Sequence, residues 1–141
     1  MRELTIPALQ KNLDDVFAFM DPDLKAGNCP DDIRTMLQVA VEEIFVNIAH
    51  YAYAPATGDA KISSELIREG EDCSLKMTFA DGGKPYNPLA REDPDITLSA
   101  EERQIGGLGV YIVKEYMDET AYEYRDGQNV LTIVKKLSGK T

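Results

Sequence analysis

Apolar residues recur at helical spacing twice in the first part of the chain, at Leu9, Leu13, Val16, Phe17 and Met20, then at Ile33, Leu37, Ala40, Ile44, Ile48 and Ala52. Each set keeps one stripe toward a core and predicts an amphipathic helix. The first helix follows a short strand, Leu4-Thr5-Ile6-Pro7, and is expected to yield to a loop over residues 21–29, where Pro22, Gly27 and Asn28 gather. The second opens at Pro30 and Asp31 and runs to Pro55, which stops it. Thr57-Gly58-Asp59 turns the chain into two strand-like runs, 62–67 and 73–79, which predict a hairpin. From Asn87 to Ile105 the apolar pattern lapses, and a loop of that length in a compact domain is either functional or disordered. Leu108, Val110, Tyr111, Ile112, Val113 and Met117 restore helical spacing, and 119–125 and 129–137 form a last hairpin across Asp126-Gly127.

Strand, two helices, two strands, a long loop, a helix and two strands follow in that order. This predicts an α+β fold, a two-layer α/β sandwich with helices on one face of a mostly antiparallel mixed sheet. A Rossmann fold needs alternating βαβ units with parallel strands, which this order does not supply. With 141 residues, 43% hydrophobic and 28% charged, the chain is expected to form one domain over 1–141. No apolar run is long enough to cross a bilayer, and the first residues lack a signal-peptide core, so a soluble cytoplasmic protein with no membrane partner is expected. A formal net charge of -10 argues against nucleic acid, whose backbone demands clustered Lys and Arg. A nucleotide stays open, because oriented backbone amides and Mg²⁺ offset phosphate charge locally. Cys29 and Cys73 show no metal-ligand spacing and are expected to be reduced thiols, Cys73 buried in a strand.

Three short stretches carry candidate chemistry. Glu43 and Asn47 lie four apart on one face of the second helix, beside its apolar stripe. They are either a solvated helix edge or a partly buried pair, Glu43 taking a proton and Asn47 offering Mg²⁺ a neutral oxygen. Asp81 stands at a strand end before Gly82 and Gly83; it is either a plain Asp-Gly turn or an acceptor for the amino group of adenine. Gly106-Gly107-Leu108-Gly109 opens the last helix, so it is either a closely packed hinge or a phosphate site built from unpaired N–H groups and the helix dipole. It matches neither the P-loop nor the dinucleotide pattern.

In this order, Glu43-x-x-x-Asn47, Asp81-x-Gly83-x-Pro85 and Gly106-Gly107-Leu108-Gly109 resemble the three nucleotide boxes of the GHKL, or Bergerat-fold, ATPases. With Val110 and the closing 129–136 segment, they are similar more narrowly to the anti-sigma-factor serine kinases of the RsbW type. The resemblance implies ATP and Mg²⁺ as cofactors, Glu43 as general base and Asn47 as Mg²⁺ ligand. It implies adenine recognition by Asp81 with Gly83 and Pro85 around it, and Thr132 supporting the base through water. Phosphate binding would fall to Gly106, Gly107 and Gly109 with the amides of Leu108 and Val110. The implied partners are an anti-sigma antagonist of the STAS type and a sigma factor, with a homodimer as the assembly.

Two positions depart from that pattern. Ile105 stands where the serine kinases often carry an arginine, leaving Arg103 as the nearest cation, and Tyr51 stands where many relatives have a histidine, with His50 one place early. His50 is expected to play a packing or surface role. A nucleotide-gated protein-binding module with little phosphotransfer is the alternative function that the Ile105 departure favours. Sensor histidine kinases and Hsp90-like or topoisomerase ATPases need further domains that 141 residues do not accommodate.

Overall fold

Alternation along the strands sets the architecture. In the computed structural model, which describes residues 1–90 and 107–138, the chain runs β1 (Arg2–Pro7), α1 (Leu13–Ala26), α2 (Asp31–Asn47), β2 (Asp59–Glu69), β3 (Asp72–Asp81), α3 (Gly107–Tyr116), β4 (Glu119–Arg125) and β5 (Gln128–Ser138). The strands form one sheet in the order β1-β2-β3-β5-β4, and every described pairing is antiparallel. On β3, Cys73, Leu75, Met77, Phe79 and Asp81 face inward; on β5, Asn129, Leu131, Ile133, Lys135 and Leu137 do the same. Helix residues Val16, Met20, Leu37, Val41, Phe45 and Val113 join these apolar side chains in one cluster, so the helices cover one face of an α+β sandwich. Burying each large aliphatic or aromatic side chain contributes about 1.5–3 kcal/mol. Cys73 is buried, as expected, and both cysteines are free thiols.

Both hairpins form where their turn residues require. Asp126 and Gly127 have φ of 54° and 78°, the double left-handed geometry that matches strand twist, and Gly70 at 63° serves the β2–β3 turn. From β3 the chain passes through α3 to the edge strand β4, and β5 then returns between β3 and β4.

Two helix boundaries differ from the sequence expectation. The loop expected at 21–29 is helical as far as Ala26, with Pro22 inside α1. Pro22 has no N–H to give, but the turn beyond it is tied down. Leu24 is fully buried, Asp23 accepts from Arg2 Nη1 at 3.1 Å and from Ser64 Oγ at 2.5 Å, and Arg68 donates to the Ala26 carbonyl at 2.8 Å. Tertiary contacts override the local break. The second helix does not stay regular to Pro55: α2 ends at Asn47 and the chain widens into a π-helical turn, Ile48–Ala52. Residues 88–90 form a single 3₁₀ turn; the rest of the long loop expected between the two glycine motifs falls on 91–106, outside the described residues.

Candidate functional site

The π turn and the loop after β3 meet, and their meeting builds the site. β3 ends at Asp81, 6% exposed, and the next three residues fold onto the end of the α2 segment. Gly82 N–H donates to Tyr53 Oη at 2.7 Å, Tyr53 Oη donates to the Asp59 carbonyl at 2.6 Å, and Lys84 N–H donates to the Ala52 carbonyl at 3.1 Å. At Gly83 a Cβ would stand 2.2 Å from the Ala52 carbonyl oxygen, so only glycine permits this approach.

Asp81 itself is held from two sides. Its Oδ1 accepts the Gly83 N–H at 2.9 Å and the Asn129 Nδ2 at 3.0 Å. Asn129 is its cross-strand partner on β5 and is 7% exposed. No described residue donates to Asp81 Oδ2, although Asp81 lines a cavity of about 550 Å³. A buried acceptor without a protein donor takes its hydrogen bond from water or from a ligand.

Glu43 and Asn47 line the same cavity from α2. Both are half-buried, and among the described residues neither side chain has a hydrogen-bond or ion-pair partner. Burial, and then repulsion from Glu42, pushes the Glu43 carboxyl above its ordinary value, the direction that suits a proton acceptor working near neutrality. Among the described residues no trio of His, Cys, Asp or Glu gathers into a metal cage. One neutral amide oxygen beside one carboxylate fits Mg²⁺, which keeps waters and takes most of its remaining ligands from substrate phosphates.

Much of the remaining lining is apolar: Ile48, Phe79, Leu89, Val113 and Leu131, with Tyr122 and Pro85. The volume and the mixture of apolar lining with a few polar groups suit a small-molecule ligand. α3 begins at Gly107, so Gly107, Leu108, Gly109 and Val110 form its first turn, and Val113 brings that helix to the cavity. Gly106, Ile105 and Arg103 lie outside the described residues. His50 and Tyr51 line the cavity and are exposed, His50 Nε2 lying 3.2 Å from Gln10 Oε1.

The structure therefore brings Glu43, Asn47, Asp81 and Pro85 to one cavity and seats Gly83 against its rim. It does not bring Thr132. Asn129 and Leu131 face the cavity, so Thr132 between Leu131 and Ile133 points to the other face of the sheet, opposite Thr78. Asn129 and Tyr122, not anticipated from sequence, line the cavity instead. Asn129 Oδ1 accepts from the Tyr86 N–H at 2.9 Å and from Tyr122 Oη at 2.5 Å, and its Nδ2 also donates to the Lys84 carbonyl at 2.8 Å. The available signal was a polar residue at an inward position of an otherwise apolar alternation.

The family profile described as the histidine kinase-like ATPase domain matches residues 6–135. The chain is similar to the serine/threonine-protein kinase BtrW of Bordetella bronchiseptica, 31% identical over 101 residues, covering 72% of this chain and 69% of that protein. It is also similar to proteins named serine-protein kinase RsbW, from Bacillus cereus at 29% identity and Bacillus thuringiensis at 30%, each over 111 residues, 76% of this chain and 66% of theirs. The matched stretch spans about two thirds of the length of these relatives.

Proposed function

Because this chain belongs to the histidine kinase-like ATPase domain family, we propose that it is an ATP-binding protein-serine kinase, working on a serine of an anti-sigma antagonist partner of the STAS type. The observation that carries the reading is the shared cavity. Asp81 Oδ2, with no donor among the described residues, shares that cavity with Glu43 and Asn47, whose side chains likewise have no described partner.

Adenine lies between the apolar walls with its amino group donating to Asp81 Oδ2. The triphosphate runs toward the first turn of α3, whose amides suit phosphate oxygens. Asn47 would hold Mg²⁺ through its amide oxygen, and the ion would supply charge neutralisation at the phosphates. Glu43 takes the proton of the partner's serine hydroxyl as that oxygen bonds to the γ-phosphorus. The bond from the γ-phosphorus to its bridging oxygen breaks, and ADP leaves with that electron pair. Catalysis is then positioning and charge stabilisation. Capture of a sigma factor, a homodimeric assembly and a cytoplasmic setting belong to the same reading.

Incubation with Mg-ATP and candidate antagonist proteins, read out as phosphoserine on the partner, tests it. Glu43→Ala should abolish transfer and leave nucleotide affinity within about threefold, because the carboxylate acts on the hydroxyl. Asp81→Asn should weaken ATP binding by roughly tenfold or more, the worth of a hydrogen bond to a charged group. Tight ATP binding with no phosphoserine on any partner would leave the nucleotide-gated module instead.

A further inference from the structure

The amide of Asn129 uses its whole hydrogen-bonding capacity at one end of the cavity. Oδ1 takes the Tyr86 N–H and the Tyr122 hydroxyl, while Nδ2 gives to Asp81 Oδ1 and the Lys84 carbonyl. No other side chain among the described residues touches both ends of the 84–86 loop and the Asp81 carboxylate. With Gly83 N–H also on Oδ1, Asp81 is turned so that Oδ2 alone remains for a ligand. Nothing in this arrangement lets Asn129 reach the heterocycle as a donor, since both of its N–H bonds are spent on protein.

We infer that Asn129 is the positioning residue that fixes base preference: by donating to Asp81 Oδ1 and holding the 84–86 backbone, it keeps Oδ2 aimed at a 6-amino purine and against a 6-oxo purine. This rests on the nucleotide reading above. A 6-oxo group presents an acceptor to an acceptor, so the cost falls on the wrong base only while Asp81 is held in place.

The isosteric Asn129→Asp replaces the donor with a second carboxyl at hydrogen-bond distance from Asp81. Two such carboxyls repel while both are ionised and share a proton when one is protonated. The titratable groups around position 129 are Asp81 from β3, Tyr122 and the cross-strand Tyr124 from β4, and Lys84 and Tyr86 from the loop, with Glu43, His50 and Tyr51 elsewhere on the cavity.

The experiment measures the affinity of the full chain for ATP and inosine triphosphate by calorimetry at about pH 8 and about pH 5.5, with wild type beside each variant so that titration of the nucleotide cancels. Wild type should prefer ATP. Asn129→Asp at the higher pH should lose roughly tenfold or more in ATP affinity and most of that preference, and should regain both relative to wild type at the lower pH. Tyr122→Phe, which deletes one bond to Oδ1 and leaves the donors to Asp81 and Lys84, should lose less. Unchanged preference in Asn129→Asp at the higher pH overturns the inference, as does a loss that acid does not restore, which would mark a merely structural role. If wild type binds neither nucleotide, the kinase reading fails and this inference with it. Thermal melting of each variant identifies one that does not fold, and Tyr122→Phe then decides: full retention of wild-type affinity and preference counts against the inference.

Discussion

Gly82 and Gly83 are adjacent in sequence and opposite in consequence. A Cβ at Gly82 would meet its nearest atom, the Tyr53 hydroxyl, at 3.6 Å, whereas at Gly83 it would press into the Ala52 backbone at 2.2 Å. Gly83→Ala should therefore cost about 1–3 kcal/mol and weaken nucleotide binding, while Gly82→Ala should be nearly neutral. Urea midpoints of the two variants check this, and equal losses would contradict it. At Glu43 the sign follows from the upward direction of the shift: stability is fully present while the carboxyl is protonated and is lost as pH rises through the folded pKa, which burial and Glu42 hold above the group's ordinary value. Glu43→Gln should thus be more stable than wild type near neutrality, the gap closing in acid, which unfolding curves at both pH values would reveal. Type and spacing marked Glu43, Asn47, Asp81 and Gly83 as candidates, and the structure brings the first three to one cavity. Thr132 was misplaced by parity: Asn129 and Thr132 are three apart on a strand of period two and cannot share a face. That becomes visible only once Asn129 is known to pair with Asp81, a contact across 48 positions that no local pattern encodes.

Elements were readable where pattern and punctuation agreed. The α2 stripe, the alternation on β2 and β3 and the Asp126-Gly127 turn all formed, because each is set by residues close in sequence. α1 shows the opposite case. Pro22 marks a break locally, and only the contacts of Leu24, Asp23 and the Ala26 carbonyl carry the helix past it. Pro22→Ala should restore one backbone hydrogen bond on an exposed turn and raise stability by about 1 kcal/mol or more, seen as a higher melting temperature. A lower melting temperature would mean that the proline's restriction of the unfolded chain outweighs the helix penalty. The π turn was illegible as well, since Ile48 and Ala52 satisfy helical spacing equally well; the loop after β3 docks on the carbonyl at its end, Ala52.

For the molecule as a whole, charge and topology set the terms. A net charge of -10 repels Mg-ATP at long range, so the amides and apolar walls of the site must act at contact distance. Raising ionic strength from about 10 mM to about 150 mM shortens the screening length from roughly 30 Å to 8 Å, and nucleotide association should speed up by about two- to fivefold. Stopped-flow rates across that range test it; a slower rate at high salt would mean that a local positive field governs approach. The sheet order adds a constraint of another kind. β5 lies between β3 and β4 although it follows both in the chain. During synthesis β5, an interior strand, is the last of the five described strands to be made, so β3 waits with one edge unpaired and Asp81 without Asn129. On the nucleotide reading proposed above, a growing chain therefore cannot hold the base in this way before β5 is released, and ATP capture would report that these five strands are assembled.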